Sequence, residues 1–500
     1  MAANNTKPFN LAVPLSTDSA IGHIEDLKNQ LTSKLADTGT GIVEKENTHV
    51  RLNKEENQLK WHRAYKSNAT DLESILSKSA QPESIIKLMR WVTKETGITK
   101  LFKHTQNQDQ NEVFDMDNIL ACLIANGTDV GIYKFAKASD RSHQQLLQTQ
   151  ADYLNLDSLQ AVNSCMQNTI STLPIFESYK YNDKIHASID GQKFETRLRH
   201  ILARYSPKYF GMRPGISVMT LVAGHLPINS KIISANEHES HHIYDLVFNQ
   251  STDLKPELVS VDQHGVNAFN FAIMNAFGYQ FAPRFAKMKN RFESHFKLVP
   301  GAEPKGILKL KKPIKWDFIL EEWENIVHVF TSLEQKNATQ EFLVKKLCSY
   351  KKYSKTLKAL NEYDRALRLI YMLDYVDDES LRRNVQGALN SGESFHQLQR
   401  AIASVNGGDR IRGRNEAELL LWNESSNFIV NCILYYNTYV LSHLLEYYQK
   451  EGNEEGIQRV TNASPVAWSH ITMSGFYNCS SSNDDEYGVK RIIDELKMIA

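Results

Sequence analysis

Lys184-Ile185-His186-Ala187-Ser188-Ile189-Asp190-Gly191 alternates apolar and polar side chains and then meets a glycine. A period of two places every second side chain on the same face, which is the pattern of a half-buried β-strand. The spacing predicts a strand that stops at Gly191 and leaves Asp190 at its end. Residues 216–222 and 231–234 read as further strands and 243–248 as a short helix. Residues 258–261 form a short apolar strand that ends at Asp262; a helix through Phe269, Ile273 and Phe277 follows, and Tyr279-Gln280-Phe281 reads as a last strand. Strands with intervening helices predict an α/β sheet.

Outward from this sheet the pattern becomes helical. Between about 70 and 180, Leu76, Ile85, Ile86, Leu88, Met89 and Val92 recur at helical spacing, as do Ile119, Leu120, Leu123 and Ile124. Residues 1–60 are polar and without a sustained period, and read as a partly disordered arm with one helix around 21–35. After Pro283 the chain is helical again to about 450, and its charge is uneven. Residues 284–358 hold 17 Lys and Arg against 8 Asp and Glu, an excess of nine positives in a chain of zero net charge. Lys305, Lys309, Lys311, Lys312 and Lys315 cluster, and so do Lys345, Lys346, Lys351, Lys352, Lys355 and Lys358. Such a cluster suits phosphate contacts, and equally a solvated helical face.

Of the 500 residues, 41% are hydrophobic and 23% charged, the composition of an ordinary globular protein with a sizeable core. The five cysteines (Cys122, Cys165, Cys348, Cys432 and Cys479) form no C-x-x-C pair, which speaks against a disulfide framework or a zinc site and fits a reducing cytoplasm. The first residues carry no secretory signal pattern. The longest apolar stretch, 428–445, is interrupted by Asn431, Asn437, Thr438 and His443 and reads as a buried helix rather than a membrane span.

Acids at neighbouring strand ends converge on one side of a sheet, so Asp190 and Asp262 are a candidate pair for a hard, oxygen-seeking cation such as magnesium. Asp before Gly is also an ordinary turn. A third acid would come from Asn390-Ser391-Gly392-Glu393, where Ser391 reads as the cap of the following helix and Glu393 as a first-turn acid favouring the helix dipole. By themselves these residues leave both readings open.

A family resemblance connects them. Asp190-Gly191-Gln192-Lys193-Phe194 resembles the Ser-Asp-Gly-Gln-Arg-Phe segment of Tn3 family transposases, and Tyr209-Phe210-Gly211 their Tyr-Phe-Gly. Asp262-Gln263-His264-Gly265 resembles Asp-Thr-His-Gly, with Gln263 in place of Thr; nearby, Ala268 stands where the family often has an acid. Residues 277–284 resemble Leu-Gly-Tyr-Gln-Phe-Ser-Pro-Arg, and Leu389-Asn390-Ser391-Gly392-Glu393 resembles Leu-Asn-Lys-Gly-Glu. Residues 431–441 and 464–471 resemble the family's Asn-Ala-Ile-Val-Leu-Trp-Asn-Thr-Val-Tyr-Leu and Ser-Pro-Leu-Gly-Trp-Glu-His-Ile. The segments come in the family's order over residues 85–475.

The resemblance implies an RNase H-like α/β catalytic core with a helical insertion, flanked by mostly α-helical regions. It implies a DDE triad of Asp190, Asp262 and Glu393 that holds two Mg2+ or Mn2+ ions. The implied activity is cleavage at transposon ends and strand transfer to target DNA, in replicative transposition. The partition expected is a polar arm (1–60), a helical domain (61–180), the first part of the core (181–285), a basic helical insertion (286–385), C-terminal helices completing the core (386–475) and a tail (476–500). Candidate DNA contacts are His264, Arg284, Lys309, Lys311, Lys312, Lys345, Lys346 and Arg400, the last sharing a helix face with Glu393. The implied partners are double-stranded DNA, a second copy on paired ends and no membrane, in a bacterial cytoplasm near the nucleoid. Family members are much longer, with an N-terminal half that reads the terminal inverted repeats. End recognition is therefore expected to come from a separate N-terminal half. The alternative is a truncated transposase that binds DNA or a partner without autonomous activity.

Overall fold

The computed structural model describes residues 10–53, 58–62, 83–105, 115–349, 354–408, 410–480, 492–494 and 496–497. The helical reading at Leu76 and the lysines 351 and 352 lie outside them. The chain divides into two compact units, each assembled from separate pieces of sequence. The first comprises Met1–Ser67, His238–Phe248 and Pro256–Leu389; the second comprises Asn68–Glu237, Asn249–Lys255 and Asn390–Ala500.

In chain order, the elements that matter here begin with the helices α1 (Thr17–Glu44), α2 (Met116–Gly127) and α3 (Leu156–Ser171). The strands β1 (His186–Thr196), β2 (Arg204–Tyr205), β3 (Pro214–Ala223) and β4 (Leu226–Ser234) follow. Next come β5 (Leu258–Val261), the helix α4 (Asn270–Ala276), β6 (Gln280–Phe281) and the hairpin strands β7 (Phe296–Leu298) and β8 (Leu308–Leu310). The last are the helices α5 (Lys355–Asp377) and α6 (Glu379–Ser404), the strand β9 (Arg410–Ile411) and the helix α7 (Glu416–Glu451).

In the first unit the helix expected around 21–35 extends from Thr17 to Glu44. Ala20, Ile24, Leu27, Leu31 and Ile42 are buried along one side of α1. Their spacing is helical, with polar residues between them on the solvent side. Ser16 caps the helix, accepting a hydrogen bond from the Ser19 amide at 3.4 Å. α1 packs on α5, where Lys34 pairs with Asp374 and Thr38 bonds Asp377. Within the same unit β5 and β6 run parallel, with Leu258 opposite Gln280 and Val259 opposite Phe281. The basic region is not wholly helical: Lys297 and Lys309 face each other across the antiparallel β7–β8 hairpin.

In the second unit β1 pairs antiparallel with β3 from Ala187–Ala223 to Glu195–Gly215, and its far end pairs parallel with β9. β3 also carries β4 and the short β2 on its other edge. One face of this sheet closes on Phe194, Ile216, Val218 and Ile232, packed with Ala403, Leu419 and Trp422. The rings of Phe194 and Trp422 meet edge-on at 5.1 Å. The strand predicted to stop at Gly191 continues five residues further, because the register with β3 is unbroken there.

α7 is the core helix of this unit, packed against α2 and α3. Its apolar window has the length and hydropathy of a membrane span, but 89% of that window is buried inside the fold, as expected of a buried helix. Asn437 on α7 donates to the carbonyls of Pro465 and Ala467 at 2.7 and 2.8 Å. That link ties together the two late segments quoted above.

His186, His225, His396 and His470 all belong to this unit, and burial pulls each down to about 4. Unfolded, each would take up a proton near the ordinary histidine value of 6.5. Folded stability from these groups is therefore complete above about pH 6.5 and lost progressively towards pH 4. Urea unfolding followed by tryptophan fluorescence should give a lower midpoint at pH 5 than at pH 7.5; equal midpoints would contradict this.

Candidate active site

Asp190 lies in the middle of β1, opposite Thr220 of β3. It shares a strand face with Ser188, Gln192 and Phe194, and α6 lies along that face. At the near end a Cβ on Gly392 would stand 2.8 Å from Ser188 Oγ, so helix and strand touch with no room for a side chain. One turn on, Gln192 Nε2 donates to the His396 carbonyl at 2.8 Å. Further along, Phe194 and Ala403 belong to one buried apolar cluster. The helix that carries Glu393 is thus fixed against the strand that carries Asp190 at three successive levels.

Ser391 does not begin this helix. α6 starts at Glu379 and runs unbroken through Ser391 and Gly392, so Glu393 sits in its interior. The Ser391 hydroxyl is instead hydrogen-bonded to Tyr181, whose phenol burial pushes above its usual value. The helix-start reading failed because small polar residues that elsewhere mark a cap serve here as close-packing positions.

Glu393 is exposed, and His396 follows it by one turn on the same side of α6. One donor atom from each of Asp190, Glu393 and His396 lies within 4.8 Å of the others. His396 Nδ1 is 3.9 Å from Asp190 Oδ2, and Asp190 Oδ1 accepts from the Gly191 amide at 2.8 Å. The His396 ring is 5% exposed, and its Nε2 has no hydrogen-bond partner among the described residues. Burial, followed by the positive charges of Arg400 and Lys193, keeps this ring neutral at pH 7, so it holds a free lone pair. Two carboxylates and a neutral imidazole can together hold a divalent cation. Arg400, exposed on α6, adds positive charge beside these groups.

Asp262 belongs to the first unit. It stands half-buried where β5 ends, and its Oδ1 accepts from the Gly265 amide at 3.1 Å, closing a tight turn. Asn270 at the start of α4 holds that turn, donating to the Gly265 and Ser240 carbonyls at 2.8 and 3.1 Å, and Gln340 donates to Asn270 Oδ1 at 2.6 Å. The His264 side chain lies outside the described residues. Arg284 is half-buried after β6, with its guanidinium 3.4 Å from Gln386 Oε1. Lys309, Lys311 and Lys312 are exposed on and after β8. Lys345 is ion-paired with Glu341, and Lys346 lies over the Phe342 ring at 5.5 Å.

Residues 87–477 match the family model described as the Tn3 transposase DDE domain. The chain belongs to the Tn3 transposase family. It is 29% identical to the transposase for transposon Tn2501 of Escherichia coli over 79% of this chain and 39% of that protein. The transposase for Tn1546 of Enterococcus faecium is 27% identical over 79% of this chain and 40% of its own length. That for transposon gamma-delta of Escherichia coli is 24% identical over 83% and 41%. The chain thus spans about two fifths of the length of the curated relatives it matches. Its DDE domain places it among enzymes of the DDE transposase type, which use divalent metal ions.

His396 escaped the sequence reading. The available signal was the Glu-x-x-His spacing, which sets both side chains on one helix face, but it was absorbed into the apolar helix pattern. Manganese titration followed by electron paramagnetic resonance tests the donor set. Asp190→Asn, Glu393→Gln and His396→Ala should each weaken Mn2+ binding by ~10-fold or more with circular dichroism unchanged, as for lost ligands and their supports. Wild-type affinity in all three variants would dismiss the centre.

Proposed function

We propose that this chain is the catalytic portion of a replicative DNA transposase, with an RNase H-like core, that cuts transposon ends and joins them to target DNA. The single observation that carries this reading is the convergence of Asp190 and Glu393, two acids about two hundred residues apart, within a chain of this family. In this reading Asp262 is the third carboxylate, held by its turn at the end of β5. Asp190, Asp262 and Glu393 would together hold two Mg2+ or Mn2+ ions, with His396 beside them. Bound there, the ions would supply an activated water or 3′-hydroxyl and offset charge on the scissile phosphate and the leaving oxygen.

The chain's own groups do the rest. The carboxylates fix where phosphate chemistry occurs, with α6 held to β1 by the close approach at Gly392 and the Gln192 hydrogen bond to the His396 carbonyl. Arg400 and Lys193 bring positive charge to the DNA backbone near that point. Lys309, Lys311, Lys312, Lys345 and Lys346 neutralise phosphates further along, and Arg284 and His264 contribute near Asp262. A second copy would bind the paired end, and reading of the terminal inverted repeats belongs to sequence beyond the matched two fifths.

Asp190→Ala, Asp262→Ala and Glu393→Gln should each reduce magnesium-dependent nicking of transposon-end DNA below detection while leaving gel-shift affinity within about threefold. A wild-type protein that binds such DNA and cuts none, with either ion, would favour the binding-only alternative. For the basic face, Lys309→Ala/Lys311→Ala/Lys312→Ala should flatten the dependence of log K on log salt by roughly 0.9 for each lost phosphate contact. An unchanged slope would remove these lysines from the interface.

A further inference from the structure

The segment between β1 and β3 has no place in the chemistry above, yet its surface is distinctive. From 197 to 213 it contains Arg197, Arg199, Arg204, Lys208 and Arg213 and no acidic residue. All five are exposed. Among them stand exposed apolar and aromatic side chains: Ile201 is 80% exposed, Met212 84%, Tyr205 45% and Tyr209 42%. A fold does not ordinarily leave so many large side chains in water on one short loop.

The loop is nonetheless built. β2 anchors it to β3, pairing Arg204 with Gly215 and Tyr205 with Pro214. The Tyr209 and Phe210 amides both donate to the Ser206 carbonyl, at 3.0 and 2.8 Å. Gly211 then turns the chain with a φ of 58°, a conformation that L side chains rarely adopt. The Tyr-Phe-Gly segment singled out in the sequence thus has a division of labour: Gly211 makes the turn, Phe210 is half-buried against the sheet edge, and Tyr209 is left outside.

Both tyrosines carry cations on their rings. Arg199 lies over Tyr205 at 5.1 Å, and Lys193 and Lys208 approach the Tyr209 ring at 4.5 and 4.9 Å. Arg199, His200, Arg204, Tyr205 and Asn236 line a shallow cavity of about 480 Å³, and Asn236 Nδ2 holds the Tyr205 carbonyl at 2.5 Å. Positively charged grooves with exposed aromatic rings are how proteins hold unpaired nucleic acid: the cations follow the backbone and the rings stack on bases. A duplex would meet the charges but leave the rings and the apolar tips unused.

We infer that residues 197–213 form a platform for unpaired DNA, taking the bases of a frayed or released strand on Tyr205 and Tyr209 and its phosphates on the surrounding arginines and lysine. The inference rests on the reading that this chain acts on DNA. A second copy of the chain is a poorer occupant, because a two-fold interface through this loop would set five cations against five.

The test is fluorescence anisotropy in EDTA, so that no cutting occurs, with a labelled oligothymidylate and with duplex DNA. Tyr205→Ala/Tyr209→Ala should weaken oligothymidylate binding by ~10-fold or more, the size expected for lost stacking, and change duplex affinity by less than about twofold. Tyr205→Phe/Tyr209→Phe, which keeps both rings, should bind as wild type. Arg199→Ala/Arg204→Ala/Lys208→Ala should flatten the single-strand salt slope by roughly 0.7 for each lost contact. Photocrosslinks from 5-iododeoxyuridine to the wild-type protein should fall within 197–213, which reports even if a variant misfolds. Equal losses for duplex and single strand, crosslinks elsewhere, tighter binding of an RNA of the same length, or a shift in oligomeric state instead of affinity would each overturn the platform. Nicking of duplex plasmid with magnesium, read separately, decides the proposed activity whichever way the binding falls.

Discussion

The contact between α6 and β1 sets where Glu393 and His396 stand relative to Asp190. At Gly392 the helix backbone reaches Ser188 with no space for even one carbon more. Two further attachments, Gln192 to the His396 carbonyl and Phe194 to the core around Ala403, set the rotation and height of the helix. Glu393 and His396 inherit their positions from these three points. Inserting a methyl group into such a contact costs about 1–3 kcal/mol. The larger consequence would be displacement: donor atoms now within 4.8 Å of one another would no longer converge.

Buried polar residues that hydrogen-bond one another link the supporting helices. Asn163 donates to the Glu424 carboxylate at 2.9 Å and accepts from Asn431 at 3.0 Å, linking α3 to α7. Burial raises the Glu424 carboxyl above its usual value, with the Asn163 bond pulling the other way. In the first unit the buried Asp364 accepts from the Phe271 and Ala272 amides at 3.0 and 3.2 Å and is pushed up to about 6 by burial. Each pairing removes an unsatisfied group that would otherwise cost about 1–3 kcal/mol. These networks hold the supporting helices in register without adding charge to the site.

Much of this was legible in the sequence, and what escaped it did so for physical reasons. The β-strands around residues 216–234 and 258–261 announced themselves because their alternation or apolar runs were uninterrupted. Gly191 misled, since glycine commonly ends a strand, whereas here cross-strand hydrogen bonds carry the register straight through it. α1 was expected only around 21–35 and runs from Thr17 to Glu44, because the one narrow side it buries continues beyond the stretch where the apolar spacing is plain. Ser391 and Gly392 looked like a helix start because local rules cannot see a strand pressing on the helix from outside. Asp190 and Glu393 were identified by resemblance, and their spatial convergence was beyond any local pattern. For His396 the Glu-x-x-His spacing marks a shared helix face with Glu393, but its approach to Asp190 is visible only in the fold.

Both units are discontinuous in sequence, and this bears on how the protein comes to exist at all. β1 leaves the ribosome about two hundred residues before α6 and α7, the helices that cover its inner face. Until they arrive, Phe194, Ile216 and Val218 have no roof, and the chain must wait through a long stretch of synthesis with apolar strands uncovered. Contacts so distant in sequence form slowly and leave intermediates exposed to aggregation. The same delay confers a safeguard: a nascent or prematurely ended chain lacking α6 has Asp190 without Glu393 or His396, and therefore cannot assemble the donor set before synthesis of that helix is complete.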